Sequence, residues 1–194
     1  TPEMSATPGG CRFANPKRKG AYGDDTMPSR AENVAQEYQI SRQDQDAFAV
    51  RSQEKASRAQ ESGRFGAEIV PVWIPQRKGD PLVVERDEHP RKTSLEALAK
   101  LKPIVRADGT VTAGNASGVN DGAPAKVVAS GGAGERHGLT PRARLVGGGI
   151  AGVEPRIMGI GPAPASAKLL NRVGLRVDDM DVIELNEAFA AQGL

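Results

Sequence analysis

In the first third of the chain, hydrophobic residues recur at helical spacing. A serine stands at the start of each of these periodic segments. Ser29-Arg30-Ala31-Glu32 and Ser41-Arg42-Gln43-Asp44 each place an acidic side chain three residues after a serine, which is typical of a helix N-terminus. The pattern predicts a short helix to about Tyr38 and a longer helix to about Ser62, with Gly63 just past its end. Residues 1–28 are rich in glycine, proline and basic residues and lack periodicity, which predicts mostly loop.

Short apolar runs predict strands in the remainder of the chain. The runs cover residues 68–74, 82–85, 142–146 and 181–185. Pro71 favours an edge position or an interruption of the first strand. Thr93-Ser94-Leu95-Glu96 predicts a helix to about Leu101, and residues 164–173 predict another that ends at Gly174. An alanine-rich helix is expected after the last strand, so the chain is expected to be an α/β protein.

Composition narrows the class of protein. The 194 residues carry a formal net charge of +2, which does not favour a nucleic-acid partner, and 38% of them are hydrophobic, enough for a core. No apolar run reaches membrane-spanning length, and no segment has the pattern of a signal peptide. The single cysteine, Cys11, excludes an internal disulfide and favours a reducing compartment, so we expect a cytoplasmic protein. His89 and His137 lack metal-ligand spacing with Cys11, so no metal site is expected.

Asn186 stands where the last predicted strand gives way to the last predicted helix. One interpretation is a helix N-cap, in which the side-chain oxygen accepts a backbone N–H. The other is a working polar group, because α/β enzymes tend to place functional side chains at such junctions. The residues around Asn186 favour the second interpretation.

Three segments of the chain resemble signatures of the thiolases, enzymes that make or break 3-ketoacyl-CoA thioesters. They are Asn186-Glu187-Ala188-Phe189-Ala190-Ala191, residues 109–122 and residues 152–162. The resemblance extends from about Arg12 to Leu194 and implies part of the thiolase fold, a layered αβαβα arrangement of two similar halves. Residues 1–119 are similar to the loop domain that covers the CoA site. Residues 120–140 are similar to the closing helix of the N-terminal half, and residues 141–194 to the start of the C-terminal half.

The resemblance implies a degradative acyltransferase. Its reaction is CoA-dependent thiolytic cleavage of 3-ketoacyl-CoA, or the reverse Claisen condensation, with coenzyme A as co-substrate and no permanently bound cofactor. Residues 12–16 and 22–28 are most similar to the thiolases that act on 3-oxoadipyl-CoA in aromatic catabolism. The whole protein is expected to be a homo-oligomer, either a dimer or a tetramer, whose ligands are acyl-CoA and CoA.

The same resemblance assigns roles to individual residues. Asn186 is expected to fix a water that donates to the thioester oxygen, and the Ser117 hydroxyl to bond the pantetheine amide. Small residues beside Ser117 are expected to let the backbone approach the ligand, namely Ala113, Gly114 and Ala116. The substrate-binding set is completed by apolar positions near the thioester, Met158, Ala188 and Phe189, by Arg91 near the CoA adenine, and by Met27 in the acyl pocket.

The catalytic cysteines and histidine of the family are expected outside this chain. Cys11 lies in a segment similar to the loop domain and is not expected to be the nucleophile. No initiator methionine opens the chain and its last predicted helix is short, so we interpret it as an internal segment that is inactive alone.

Two alternatives stay open. A non-catalytic CoA-binding or assembly module would suit the departures from the family pattern, namely Pro124 and the glycines of residues 131–134 where relatives have a buried helix. These departures mean either looser packing or errors in the sequence. A nicotinamide-dependent oxidoreductase would suit the Gly-x-Gly-x-x-Gly pattern of residues 147–152, but that fingerprint must open a helix, and Pro155 and Gly159 follow closely.

Overall fold

The structure is a computed structural model, and it describes residues 15–194, in two compact units. Cys11 and the residues just after it therefore lie outside the described residues. The first unit contains the residues up to Gly118 together with Val153–Gly159 and Leu185–Leu194. The second contains Val119–Gly152 and Ile160–Glu184.

The regular elements are α1 (Pro16–Tyr22), α2 (Met27–Glu37), α3 (Arg42–Glu61), β1 (Val72–Ile74), β2 (Leu82–Val84), α4 (Leu95–Ala99), α5 (Gly131–Arg136), α6 (Pro162–Val173) and α7 (Ala190–Gly193), with short 3-10 turns at Arg64–Ala67, Pro155–Ile160 and Val177–Asp179.

Helix α1 occupies a segment that the sequence predicted as loop, so that prediction was wrong there. The Asn15 side chain accepts a hydrogen bond from the Lys17 backbone N–H at 2.9 Å, and Pro16 follows at the first helical position. This combination is a strong local start signal because proline lacks the N–H that a first turn leaves unpaired. Gly23 ends the helix with φ of 72°.

Helix α2 begins earlier than predicted. Its N-cap is Thr26 rather than Ser29, and Pro28 lies in its first turn. The Glu32 carboxylate is therefore one turn inside the helix and does not return to cap it. Helix α3 begins as predicted, because the Ser41 hydroxyl accepts from the Asp44 N–H at 3.0 Å, and Gly63 follows its C-cap with φ of 75°.

The core of the first unit is built from small side chains. Helix α7 packs against α2 and α3, and it buries Ala190 and Ala191. A Cβ atom at Gly193 would lie 2.7 Å from the ring of Phe48 on α3, so glycine is needed for this close approach. Helix α2 contributes Ala31, Val34 and Ala35 to the same core. The short α7 is therefore held by tertiary contacts, since its length alone could not stabilise it.

The first unit also carries a β-hairpin and the short helix α4. Strands β1 and β2 pair antiparallel, with Trp73 opposite Val83, and β1 begins only after Pro71. The N-cap of α4 is Ser94, one residue later than predicted, and the helix ends at Ala99. Hydrogen bonds from the Glu96 backbone amide and the Ser94 hydroxyl lower the pKa of the Glu96 carboxyl.

The second unit contains less regular structure than predicted. Only α5 forms within residues 120–140, where a long closing helix was expected, and Ser130 caps it at the glycine run. Residues 142–146 and 181–185 form no strand, because a strand needs a hydrogen-bonded neighbour and none pairs with them in the described chain. Helix α6 forms as predicted, begins two residues early, and ends at Gly174 with φ of 71°.

The glycine-rich segment of residues 147–152 serves packing in the second unit. A Cβ atom at Gly149 would lie 2.6 Å from the backbone oxygen of Ala165 on α6, so glycine lets the two segments touch. No helix opens at Gly152, and only a 3-10 turn follows at Pro155–Ile160. The segment thus lacks the strand-turn-helix geometry that a dinucleotide fingerprint requires. Within residues 15–194, no helix has the length and apolar character needed to span a membrane.

We predict that residues 1–194, purified alone, will not unfold in one cooperative step. Val182 is 84% exposed and Ile183 is 68% exposed, and each such side chain forgoes about 1.5–3 kcal/mol of burial. Urea unfolding followed by Trp73 fluorescence reports on the hairpin, whereas far-UV dichroism reports on the helices. The two curves are expected not to coincide. A single sharp transition shared by both signals, in a monodisperse monomer, would contradict this prediction.

Candidate functional site

Two segments that are far apart in sequence are paired by backbone hydrogen bonds in the first unit. Ala116 and Phe189 form an isolated antiparallel bridge. The Ser117 N–H donates to the Ala188 carbonyl oxygen at 2.9 Å, and the Ala190 N–H donates to the Asn115 carbonyl oxygen at 2.9 Å. The pairing brings together two of the three segments on which the family resemblance rests.

Asn186 does not cap a helix, so the N-cap interpretation was wrong. Helix α7 begins at Ala190, and Phe189 occupies the N-cap position. The Asn186 carbonyl oxygen accepts the Ala188 N–H at 3.0 Å in a tight turn. The residue is exposed, and its side-chain amide makes no hydrogen bond to the described residues. The amide is therefore available to a ligand or a water.

A buried carboxylate holds the loop that carries Ser117. Glu32 on α2 is only 2% exposed. Its carboxylate accepts from the Thr110 N–H at 2.7 Å, the Thr110 hydroxyl at 2.8 Å and the Val111 N–H at 3.0 Å. Charge-assisted hydrogen bonds of this kind are stronger than neutral ones. They fix the start of the loop against α2.

Helix α3 holds the same loop with polar side chains. The Gln45 amide donates to the Thr110 hydroxyl at 2.9 Å. The Asn115 amide donates to the Asp46 carboxylate at 3.0 Å and to the Thr110 carbonyl at 3.0 Å, while its own oxygen accepts the Thr112 N–H at 2.8 Å. These bonds give the loop one conformation, because a buried polar group without a partner is costly.

Arg42 completes this network by neutralising Asp46. Its Nε atom donates to the Asp46 carboxylate at 2.8 Å, and its terminal nitrogen donates to the Leu98 carbonyl at 2.6 Å. The Leu98 carbonyl belongs to the last turn of α4, and a second bond reaches the Leu101 carbonyl just past the helix, at 3.1 Å. Arg42 therefore ties α3 to the segment that packs beneath Gly114.

The predicted small residues are small partly for a different reason from the one expected. A Cβ atom at Gly114 would lie 2.5 Å from the side chain of Leu98 and 2.7 Å from that of Leu101. Gly114 thus allows the loop to pack on α4, whereas Ala113 is exposed. Close approach to protein is by itself enough to require a glycine here, and approach to a ligand stays a prediction.

A cleft of about 180 Å³ opens between α3 and the paired segments. The hydroxyl of Ser52 on α3 hydrogen-bonds the carboxylate of Glu187 across it. His89 also lines the cleft. The cleft walls include Phe48, Gly114, Ala116 and Ser117.

A second cleft, of about 300 Å³, is also lined in part by α3. Arg91, the predicted adenine-side residue, lines it and is anchored because its backbone N–H donates to Gln53 at 2.9 Å. Arg58 and Lys92 add positive charge, and Glu54 is the acidic side chain in the lining. Gln53 lines both clefts, so they adjoin.

Met27 and Met158 line neither cleft, and Arg30 brings them together. The Arg30 terminal nitrogen lies 3.0 Å from the Met158 sulfur and 3.6 Å from the Met27 sulfur. Both methionines are nearly half exposed, at 43% and 47%. Two predicted substrate-binding residues thus flank one guanidinium.

Sequence reasoning missed the polar residues that position the loop, because periodicity looks for apolar faces. Glu32 was interpreted as a capping residue, and Gln45 and Asp46 were not selected. Arg30 was not selected at all. The Thr26-Met27-Pro28 start signal would have moved the helix start and placed Glu32 inside the helix.

The fold and the paired segments define a class of protein, and the chain belongs to the thiolase family. The family model of the thiolase N-terminal domain matches residues 16–132, and that of the thiolase C-terminal domain matches residues 139–194. The solved structure of the Bacillus anthracis acetyl-CoA acetyltransferase is 50% identical, with a TM-score of 0.83, over 87% of this chain and 43% of that one. The chain therefore has part of a thiolase fold, which confirms the predicted fold class.

Two relatives are particularly similar. A beta-ketoadipyl-CoA thiolase of Pseudomonas aeruginosa is 66% identical over 95% of this chain and 46% of its own length. A 3-oxoadipyl-CoA/3-oxo-5,6-dehydrosuberyl-CoA thiolase of Escherichia coli K12 is 55% identical over 99% of this chain and 48% of its own length. The chain thus spans about half the length of the curated relatives it matches.

We predict that Glu32→Gln loosens the loop of residues 109–116. The amide nitrogen would face backbone donors, so the free energy of unfolding should fall by about 2–3 kcal/mol. The variant is tested in the complete enzyme, which means either the full-length protein or a chimaera. In the chimaera, residues 1–194 replace the corresponding half of the Pseudomonas aeruginosa relative. Denaturant unfolding gives the loss, and proteolysis within residues 109–116 should accelerate.

Glu37→Gln is the matched control for this variant. Glu37 lies on the same helix and pairs with Arg156 at 2.6 Å, but both side chains are 40% exposed or more. Loss of this ion pair should lower the free energy of unfolding by less than about 1 kcal/mol. Equal losses in the two variants would contradict the special role of Glu32.

Proposed function

We propose that this chain forms the CoA-binding half of a thiolase that cleaves 3-ketoacyl-CoA, with 3-oxoadipyl-CoA as substrate and coenzyme A as co-substrate. The observation that carries the proposal is the pairing of Ala116 with Phe189. It places Ser117 beside the segment that contains Asn186, as a shared ligand-binding site requires. The printed names of the Pseudomonas aeruginosa and Escherichia coli relatives, and their identities to this chain, support the substrate.

The two adjoining clefts suit a long, anionic ligand such as coenzyme A. Arg58, Arg91 and Lys92 at the second cleft supply cations for phosphate groups. Ser117 at the first cleft offers a hydroxyl to the pantetheine arm, and Ala116 leaves room for it. A ligand that follows α3 past Gln53 would reach both clefts.

The chemistry needs groups beyond those in this chain. In the family, a cysteine thiolate attacks the ketoacyl-CoA, acetyl-CoA leaves as a carbanion equivalent, and CoA takes the acyl group. The proposed contribution of this chain is electrostatic. The exposed Asn186 amide holds a water that donates to the oxyanion as it develops.

The domain organisation is part of the proposal. Residues 1–119 act as the loop domain, residues 120–140 close the N-terminal half, and residues 141–194 open the C-terminal half. The complete enzyme is a cytoplasmic homo-oligomer. The exposed apolar residues of 181–185 then form a strand against a neighbour that a complete core provides.

We predict that the complete enzyme will thiolyse 3-oxoadipyl-CoA and that residues 1–194 alone will not. The physical reason is that the proposed nucleophile and acid/base groups belong to the remainder of the enzyme. The measurement is CoA-dependent loss of the ketoacyl-CoA absorbance. Cys11→Ala should leave kcat nearly unchanged.

Other outcomes would decide against parts of this proposal. CoA binding without turnover in the complete enzyme would support a non-catalytic CoA-binding module instead. A large loss of kcat in Cys11→Ala, with folding intact, would make Cys11 the nucleophile.

We predict that Asn186→Ala lowers kcat in the complete enzyme by about a hundredfold. CoA affinity and the melting temperature should stay unchanged, because the amide neither caps a helix nor bonds another described residue. Asn186→Asp should also lower kcat, since a carboxylate repels the developing negative charge. Asn171→Ala, at an exposed position on α6, is the matched control and should leave all three quantities unchanged. A lower melting temperature with full turnover would show that Asn186 is only structural.

A further inference from the structure

Arg30 carries a positive charge with no anionic partner in the described residues. It lies near the start of α2, and its terminal nitrogen contacts the sulfur atoms of Met158 and Met27, at 3.0 Å and 3.6 Å. Its Nε atom is buried and has no hydrogen-bond partner among those residues. Thioether sulfur is a weak acceptor, so these contacts do not replace a carboxylate.

Other arginines of the first unit show what a satisfied guanidinium looks like in this protein. Arg42 uses both its Nε and a terminal nitrogen, on Asp46 and on two backbone carbonyls. Arg156 pairs with Glu37 at 2.6 Å. An arginine keeps its charge in proteins, so an unpaired and partly desolvated guanidinium is costly. Arg30 can therefore still bind an anion.

The acidic residues on and beside α2 are already engaged elsewhere. Glu32 accepts hydrogen bonds from Thr110 and Val111. Glu37 pairs with Arg156, and Asp25 accepts a hydrogen bond from Asn33 at 2.8 Å. The anion that would complete Arg30 must therefore come from outside these residues.

The position of Arg30 indicates which anion that is. The flanking residues, Met27 and Met158, are those expected beside the acyl chain and the thioester. A 3-oxoadipyl chain ends in a carboxylate, whereas an unsubstituted acyl chain ends in a methyl group. A planar guanidinium matches a carboxylate with two parallel hydrogen bonds. The two terminal nitrogens of Arg30 form one such pair of donors, whereas its Nε is buried.

We propose that Arg30 is a specificity-determining residue that binds the terminal carboxylate of a dicarboxylic acyl chain. The inference rests on the proposed function and names its substrate class. The methionine side chains hold the apolar part of the acyl chain, and the guanidinium selects the charged end. A neutral chain of equal length would leave Arg30 unpaired, so discrimination arises from the cost of that unpaired charge.

The first experiment compares binding in the complete enzyme, without turnover. Adipyl-CoA and hexanoyl-CoA have equal chain length and lack the 3-keto group, so neither is cleaved. Calorimetry should give tighter binding of adipyl-CoA than of hexanoyl-CoA. Arg30→Gln should weaken the binding of adipyl-CoA by about a hundredfold. Binding of hexanoyl-CoA should change little, which also reports that the variant is folded. The affinity of Arg30→Lys for adipyl-CoA should lie between those of the unaltered enzyme and Arg30→Gln, because lysine keeps the charge but lacks the planar guanidinium.

The second experiment measures kcat/KM for 3-oxoadipyl-CoA and for 3-oxohexanoyl-CoA. Arg30→Gln should lower the first by about a hundredfold and leave the second nearly unchanged. Arg64→Gln is the matched control, since Arg64 forms an exposed pair with Glu68 at 2.9 Å, and it should change neither value.

The outcomes separate this inference from the proposed function. If no 3-ketoacyl-CoA is cleaved but adipyl-CoA binding depends on Arg30, thiolysis is wrong and carboxylate recognition stands. Equal binding of adipyl-CoA and hexanoyl-CoA by the unaltered enzyme would overturn the role of Arg30. Loss of both ligands in Arg30→Gln and Arg30→Lys alike would make Arg30 a structural residue and would also overturn it.

Discussion

The candidate site depends on one buried carboxylate. Glu32 on α2 binds two backbone N–H groups and a hydroxyl at the start of the loop of residues 109–116. That contact fixes where the loop leaves the helices, and Asn115 then pairs with Ala190 at its far end. The glycine and alanine side chains of the loop would not by themselves give it one conformation, because they pack weakly and glycine loses much backbone entropy on ordering.

The centre of the first unit is polar as well as apolar. Gln45, Asp46 and Asn115 are all buried; Asn115 donates to Asp46, and Gln45 and Asn115 both donate to Thr110. Within this network the Gln45 side-chain oxygen has no partner in the described residues. Such a network stabilises a structure only when nearly every member has a partner, because an unpaired buried group costs more than a bond provides. Here it specifies a single arrangement of loop and helices, and the short α7 can then pack its alanines against α2 and α3.

Arg42 and Arg30 differ in how far the protein itself satisfies their hydrogen-bond donors. Arg42 has its donors satisfied by protein and holds α3 to α4. Arg30 has a buried Nε without a partner, beside two methionine sulfurs. The proposed recognition role of Arg30 rests on this difference, because a guanidinium without an anionic partner keeps donors for a ligand.

The sequence by itself determined the family and most helix ends. Ser41, Gly63 and Gly174 act through local caps, so their effect is visible in a few neighbouring residues. The motif around Asn186 and the segment around Ser117 were likewise evident from the sequence. Only the tertiary structure decided that residues 142–146 and 181–185 form no strand, because strand formation needs a partner that local sequence does not specify. It also decided the contacts of Glu32 and Arg30, because the groups that lie opposite these charged side chains include residues from distant parts of the chain.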